Sequence, residues 1–218
     1  MAERPVYVTT TKTPYVTVYK PEFTWNAGLN KVQKQKNIVA LHDAFKRMSP
    51  ESNVLEISSK SLQPLGIKLS AFNLPKYVPS LGKSVPLECV YHGGKIFAAG
   101  GPYTDLYTAT ARAAKKDERL KSSGELRGFA FEGEQMPLIP RTAFYDWLYV
   151  NALMENPELA EQVMEFDAFT DIEFNPKKSV NCQARAAAKF VSLTRAGLID
   201  QVRDFESFRK LFVINPTF

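Results

Sequence analysis

Glu88, His92 and Lys95 place an acid, an imidazole and an ammonium at intervals of four and three residues in ECVYHGGK. At about 100° per residue a helix brings all three within roughly 60° of one another, while Val90 and Phe97 point the other way, toward a core. A face of that kind can hold a carboxylate beside proton donors, as general acid–base chemistry or stabilisation of a positive carbon requires. The same spacing also describes a solvated helix face with an i,i+4 pair, and spacing alone leaves both readings open. A second acid, Asp171 in FTDIEF, falls in an extended or irregular stretch between helices, where an acid either points into a cleft or caps a turn.

Other chemistries are weaker. His42, His92, Cys89 and Cys182 show no CxxC or HxxxH spacing, so neither a metal site nor a cofactor is expected. Cys89 lies three residues before His92 but toward the side of the helix, and reads as a buried apolar cysteine. Gly93-Gly94 inside a helical stretch costs about 1 kcal/mol per residue relative to alanine, which implies either a close approach by backbone or ligand or a helix break.

The elements that must position these groups follow from periodicity. PVYVTT and YVTVYK alternate and read as a hairpin or two edge strands. Ile38, Leu41, Phe45 and Met48 recur at helical spacing until Ser49-Pro50 stops them. VLEISS (54–59) and IKLSAF (67–72) read as strands around a turn through Pro64 and Gly66, with the aromatic turn LSAFN leading into the helix from Leu87. Helical spacing returns over 103–116, GFAFEG (128–133) reads as a strand, and a helix spans 142–155. Asn156-Pro157-Glu158-Leu159 combines a cap, a first-turn proline and an acid at the positive helix end. Ser179 is the expected cap of an alanine-rich helix that ends near Gly197, and DFESFRKLF forms a last short helix. The expectation is one α+β domain, predominantly helical with a few short strands: residues 1–50 give N-terminal strands and an amphipathic helix, 51–200 the core, and 201–218 a helical tail.

With 218 residues and 44% hydrophobic content the chain can bury an ordinary core. Its two cysteines cannot build a disulfide framework, and MAERPVYV has no apolar signal region, so a cytoplasmic protein with no membrane span is expected. The net charge of +5 is concentrated in KVQKQKN, ARAAKKDERLK and FNPKKS. Such clusters meet phosphates or simply form a soluble surface; Lys31, Lys34 and Lys36 are the candidates for nucleic-acid contact.

The order of these motifs resembles the NADAR (YbiA-like) superfamily, linked to NAD and ADP-ribose metabolism, over residues 54–195. The family's opening strand corresponds to Ile57-Ser58-Ser59-Lys60, its YG turn to Leu65-Gly66, and its LSNF to Leu69-Ser70-Ala71-Phe72. Its E-x-x-x-Q-x-x-K helix corresponds to Glu88, His92 and Lys95, and its later NPEL and aspartate loop to residues 156–159 and FTDIEFNP. Together with QKQKNIVALH and EISSKS, the chain is most similar to the NADAR antitoxins associated with DarT-type DNA ADP-ribosyltransferase toxins.

That resemblance implies a YbiA-like fold and a hydrolase that removes ADP-ribose from guanine bases of DNA or RNA, as an antitoxin, a repair activity or a phage-borne countermeasure acting in the host cytoplasm. Glu88 and Asp171 are then the expected catalytic acids, and Lys60, Ser70, Phe72, Asn73, His92 and Lys95 the expected ADP-ribose contacts. A DarT-type toxin is an implied partner. His92 stands where the family has glutamine, Met136 near its tryptophan, and Ala71 at its asparagine, with Asn73 close by. Histidine adds a charge near pH 6.5 that glutamine lacks. The rival expectation is a non-catalytic antitoxin that masks the toxin or an ADP-ribosylated ligand.

Overall fold

The computed structural model describes residues 1–212, and its contacts group into two compact units: Met1–Ser70 with Pro157–Asp200, and Ala71–Asn156 with the segment from Gln201 onward. Helices predominate and the strands are short, the α+β class expected.

The first unit is built on a four-stranded sheet in the order Val16–Tyr19, Val6–Thr9, Ala168–Thr170, Val54–Glu56. The first two form the expected hairpin, pairing Val6 with Tyr19 and Thr9 with Val16. Ala168–Thr170 runs antiparallel to Val6–Thr9 and parallel to Val54–Glu56, with Thr170 opposite Glu56. The helix Lys31–Lys46 begins where the Asn30 side chain accepts a hydrogen bond from the Gln33 N–H, which satisfies one of the free amides of the first turn. Ile38, Leu41 and Phe45 bury its apolar stripe with Val6, Phe23 and Val54. Met48, expected on that stripe, lies beyond the helix and is exposed. The alanine-rich helix Gln183–Arg195 buries Ala184, Ala186, Ala187, Ala188, Phe190, Val191 and Leu193. Its cap is Cys182 rather than Ser179, because the Ser179 N–H closes a turn onto the Asn175 carbonyl and its hydroxyl donates to the Asn181 carbonyl.

IKLSAF is not a strand. Residues Pro64–Lys68 form a short helix with proline in its first turn, and Leu69 caps it. The local cause is Gly66, whose Cα packs against the Glu56 carbonyl and the Ser61 side chain with no room for a Cβ.

The second unit surrounds the helix Ala143–Met154, which is buried on almost every side. Phe144 stacks on Phe129 with ring centroids 4.5 Å apart, and Trp147 meets Phe205 edge-on at 5.8 Å. A sheet orders Glu134–Pro137, Leu126–Phe131 and Lys95–Phe97, all antiparallel. The helix Leu87–Gly93 ends at the glycine pair through close backbone approach. A Cβ on Gly93 would stand 2.6 Å from the Tyr107 ring, and one on Gly94 2.6 Å from the Ala130 carbonyl oxygen.

Replacing Gly66 with alanine should therefore destabilise the protein by about 3 kcal/mol, the upper part of the range for overpacking. Chemical denaturation measures this, and a change below about 0.5 kcal/mol would show that the close approach relaxes without cost.

Candidate active site

Glu88 sits in the first turn of the Leu87–Gly93 helix, whose start is fixed by the turn before it. The Leu87 N–H donates to the Leu74 carbonyl and the Glu88 N–H to the Ala71 carbonyl, at 3.0 and 2.9 Å. One helical turn later His92 Nε2 lies 3.2 Å from Glu88 Oε1. Beyond the helix, Lys95 Nζ lies 3.0 Å from His92 Nδ1. Lys115, on the helix Ala111–Lys116, places Nζ 3.0 Å from the same Oε1 of Glu88.

These partners fix the protons. An ammonium only donates, so Lys95 gives a hydrogen to His92 Nδ1, and the other imidazole nitrogen carries the N–H that is donated to Glu88. The result is a directed chain, Lys95 to His92 to Glu88, with Lys115 closing it from the other side. Glu88 and His92 are buried, not on a solvated face. Burial pushes the Glu88 carboxyl up, but the His92 hydrogen bond and the Lys115 ammonium outweigh it and hold the carboxyl below its usual range. Burial, assisted by Lys95 and Lys115, lowers His92, although Glu88 opposes it. The charge expected near pH 6.5 is thus displaced to lower pH, and the ring is neutral under physiological conditions. Burial brings the Lys95 ammonium down to about 8.

Lys95 is not on the helix, as the periodicity argument assumed. The glycine pair ends the helix, and Lys95 opens the strand that pairs it with Phe129. Its amine returns to the site by lying over the Tyr91 ring, 4.5 Å from the centroid. Phe72 packs beside Cys89, Leu106, Ala111 and Ala114, with the Lys115 ammonium 5.1 Å over its ring. Cys89 donates its S–H to the Ala109 carbonyl, and burial raises its thiol to about 11, which removes it as a nucleophile at neutral pH. Asn73 is exposed. Met136 is buried in the strand opposite Phe129, and the Trp147 N–H donates to the Arg203 carbonyl, so both serve the core.

Asp171, Lys60 and Ser70 belong to the other unit. Ser70 donates its hydroxyl to the Ile67 carbonyl, and Lys60 Nζ lies 3.0 Å from Ser59 Oγ. Asp171 Oδ1 accepts the N–H groups of Glu173 and Phe174 at 3.0 and 3.2 Å, the geometry of a turn-closing aspartate. Near it in charge is Glu56, which receives the Thr170 hydroxyl at 2.6 Å, the Ile172 N–H at 2.9 Å, and the Ser58 hydroxyl. Burial raises both carboxyls, and the charge of Glu56 pushes Asp171 well above the usual range. Glu56 has more donors than Asp171, so of the two it is Asp171 that is driven furthest toward the protonated form.

Lys31 and Lys36 are exposed on their helix. Lys34 is engaged, with Nζ 3.0 Å from Glu173 and 5.7 Å from the centre of the Trp25 ring. Sequence reasoning missed Lys115 and Glu56. Nothing in ARAAKKDERLK marks which lysine reaches Glu88, whereas an acid inside the apolar run VLEI was a usable signal.

Among the described residues no helix is long and apolar enough to cross a membrane. A family model described as DarT1-associated NADAR antitoxin matches residues 2–217 of the chain. No curated protein matches it.

Asp171 carries a carboxyl raised in the folded state, so the stability it contributes is complete below the ordinary carboxylate value and is lost as pH rises toward the folded value. Asp171→Asn keeps the Oδ1 acceptor and cannot ionise. Its Tm should equal or exceed that of the wild type at pH 7, with a shallower decline as pH rises above the ordinary carboxylate value. A lower Tm with an unchanged pH slope would show that the aspartate is ionised and stabilising.

Proposed function

The chain belongs to the DarT1-associated NADAR antitoxin family, and on that premise we propose that it removes ADP-ribose from guanine bases of nucleic acid by hydrolysing the N-glycosidic bond, with Glu88 at the reacting carbon. The coarse function is that of its family, an antitoxin tied to a DarT1 toxin. The observation that carries the finer reading is the chain from Lys95 through His92 to Glu88, completed by Lys115.

A glycosidic bond breaks through a carbon that gains positive charge, and a carboxylate held ionised in a water-poor site stabilises that charge most strongly. Glu88 has this character: its donors keep it charged while burial keeps water from diluting its field. In the proposed reaction the bond between the anomeric carbon and the guanine nitrogen breaks, its electron pair and a proton go to the guanine, and water supplies the hydroxyl that joins the ribose. Phe72 offers an aromatic face for adenine or ribose, and Lys95 and Lys115 offer cations for the diphosphate. Exposed Lys31 and Lys36 provide phosphate contacts without base specificity.

Glu88→Gln retains an acceptor for Lys115 and His92 but not the charge. It should lower turnover of a guanine-ADP-ribosylated oligonucleotide by at least about 100-fold and leave ADP-ribose binding largely intact. Undiminished turnover would remove Glu88 from the mechanism. If substoichiometric wild-type protein releases no ADP-ribose yet binds ligand or toxin, the masking alternative replaces hydrolysis.

The lowered Lys95 gives a pH signature. Its positive charge is present below about 8 and lost above, so affinity for ADP-ribose should weaken as pH rises through that value. Titration calorimetry should find the dependence in the wild type and not in Lys95→Met; the same dependence in both would assign the charge elsewhere.

A further inference from the structure

The Lys31–Lys46 helix is apolar on two sides. Ile38, Leu41 and Phe45 face the core of the first unit. At about 100° per residue Val32, Lys36, Val39 and Asp43 fall within roughly 60° of one another on the opposite side. All four are exposed, Val32 by 59% and Val39 by 46%. They line an open groove of about 400 Å³ with Ala40 and with Leu62, itself 55% exposed. A lone exposed valine calls for no explanation, but Val32, Val39 and Leu62 on one groove form a patch that water does not favour. Val32 and Val39 stand seven residues apart, the repeat by which one helix presents a seam to another.

Charge selects what covers the patch. Lys36 and Asp43 also stand seven residues apart on this side, too far for an ion pair within the helix, where pairs form at three or four. Among the described residues neither has an ion-pair partner. The groove therefore carries one cation and one anion at equal distances from the midpoint between Val39 and Ala40. A nucleic-acid backbone would be repelled by Asp43 and would leave the valines uncovered. A peptide of a single charge sign satisfies only one of the two groups. A second copy of the same surface, turned end for end, satisfies both.

We propose that this face is a homodimer interface, in which the Lys31–Lys46 helices of two copies pack antiparallel about a two-fold axis level with the midpoint between Val39 and Ala40. The rotation sets Lys36 of each copy opposite Asp43 of the other, so the same ion pair forms at both ends of the contact. At the centre the two Val39 side chains meet, and the small side chain of Ala40 lets the helices approach closely. Val32 and Leu62 border this centre and lose water with it. Lys31 lies outside the paired stretch and keeps its phosphate role, which Lys36 has only in the unpaired chain. The pairing uses no residue of the Glu88 site, so it does not depend on the proposed hydrolysis.

The test is sedimentation equilibrium of the full chain at about 0.1 mM, where an interface at the small end of the specific range should be largely paired. The wild type should then have twice the 24.5 kDa mass of one chain. Lys36→Glu and Asp43→Lys should each weaken pairing by at least about tenfold, because either change sets like charges opposite at both ends. Combining the two restores opposite charges, and the double variant should pair as the wild type does. Val39→Asp should be a monomer, since two carboxylates then meet at the centre. All three positions are exposed, so the variants should keep the circular dichroism of the wild type. A monomeric wild type, pairing that survives Val39→Asp, or a double variant no better than the single ones would overturn the proposal. A monomeric wild type whose oligonucleotide affinity falls in Lys36→Glu would give the face to nucleic acid instead.

Discussion

A carboxylate taken out of water must be given hydrogen-bond donors by the protein or surrender its charge. Glu88 is held to the first course by two donors, His92 from its own helix and Lys115 from a later one, while a third group, Lys95 from the following strand, donates to His92 behind it. Much of the second unit can be understood as the means of bringing these together. The Ala71 and Leu74 carbonyls seat the start of the Glu88 helix. Gly93 and Gly94 end it against Tyr107 and Ala130, and the pairing of Lys95 with Phe129 sets where the third group emerges.

The first unit resolves the same problem in the opposite way for one of its acids. Parallel pairing puts Thr170 directly across from Glu56, so the hydroxyl and the carboxylate meet in the sheet interior. Glu56 takes hydroxyl and amide donors on both oxygens, and Asp171, with two main-chain amides on one oxygen, is pushed toward its protonated form by burial and by the charge of Glu56. Two buried negative charges would repel each other in a low-dielectric setting.

The legible part of the sequence was the part governed by local rules. The Asn30 cap, the apolar stripe of Ile38, Leu41 and Phe45, and the alternation of the first hairpin each reflect neighbours along the chain. The grouping of Glu88, His92 and Lys95 was also visible, although for Lys95 the helical argument reached the right neighbour by the wrong path. What was hidden depended on tertiary packing. The strand-like pattern of IKLSAF yielded to the tight contact of Gly66 with Glu56, and the cap expected at Ser179 was lost to a turn that used its N–H first. Lys115 could not be told from its charged neighbours, because which lysine is engaged is decided by Phe72 and Glu88, both distant in sequence.

The neutral tautomer of His92 bears on how this position can change over time. A neutral imidazole presents one N–H and one lone pair, which is also what the side-chain amide of glutamine needs to present to a lysine on one side and a glutamate on the other. Histidine and glutamine codons differ only in their third base. A single nucleotide change can therefore exchange the two residues while the flow of hydrogen bonds toward Glu88 keeps its direction.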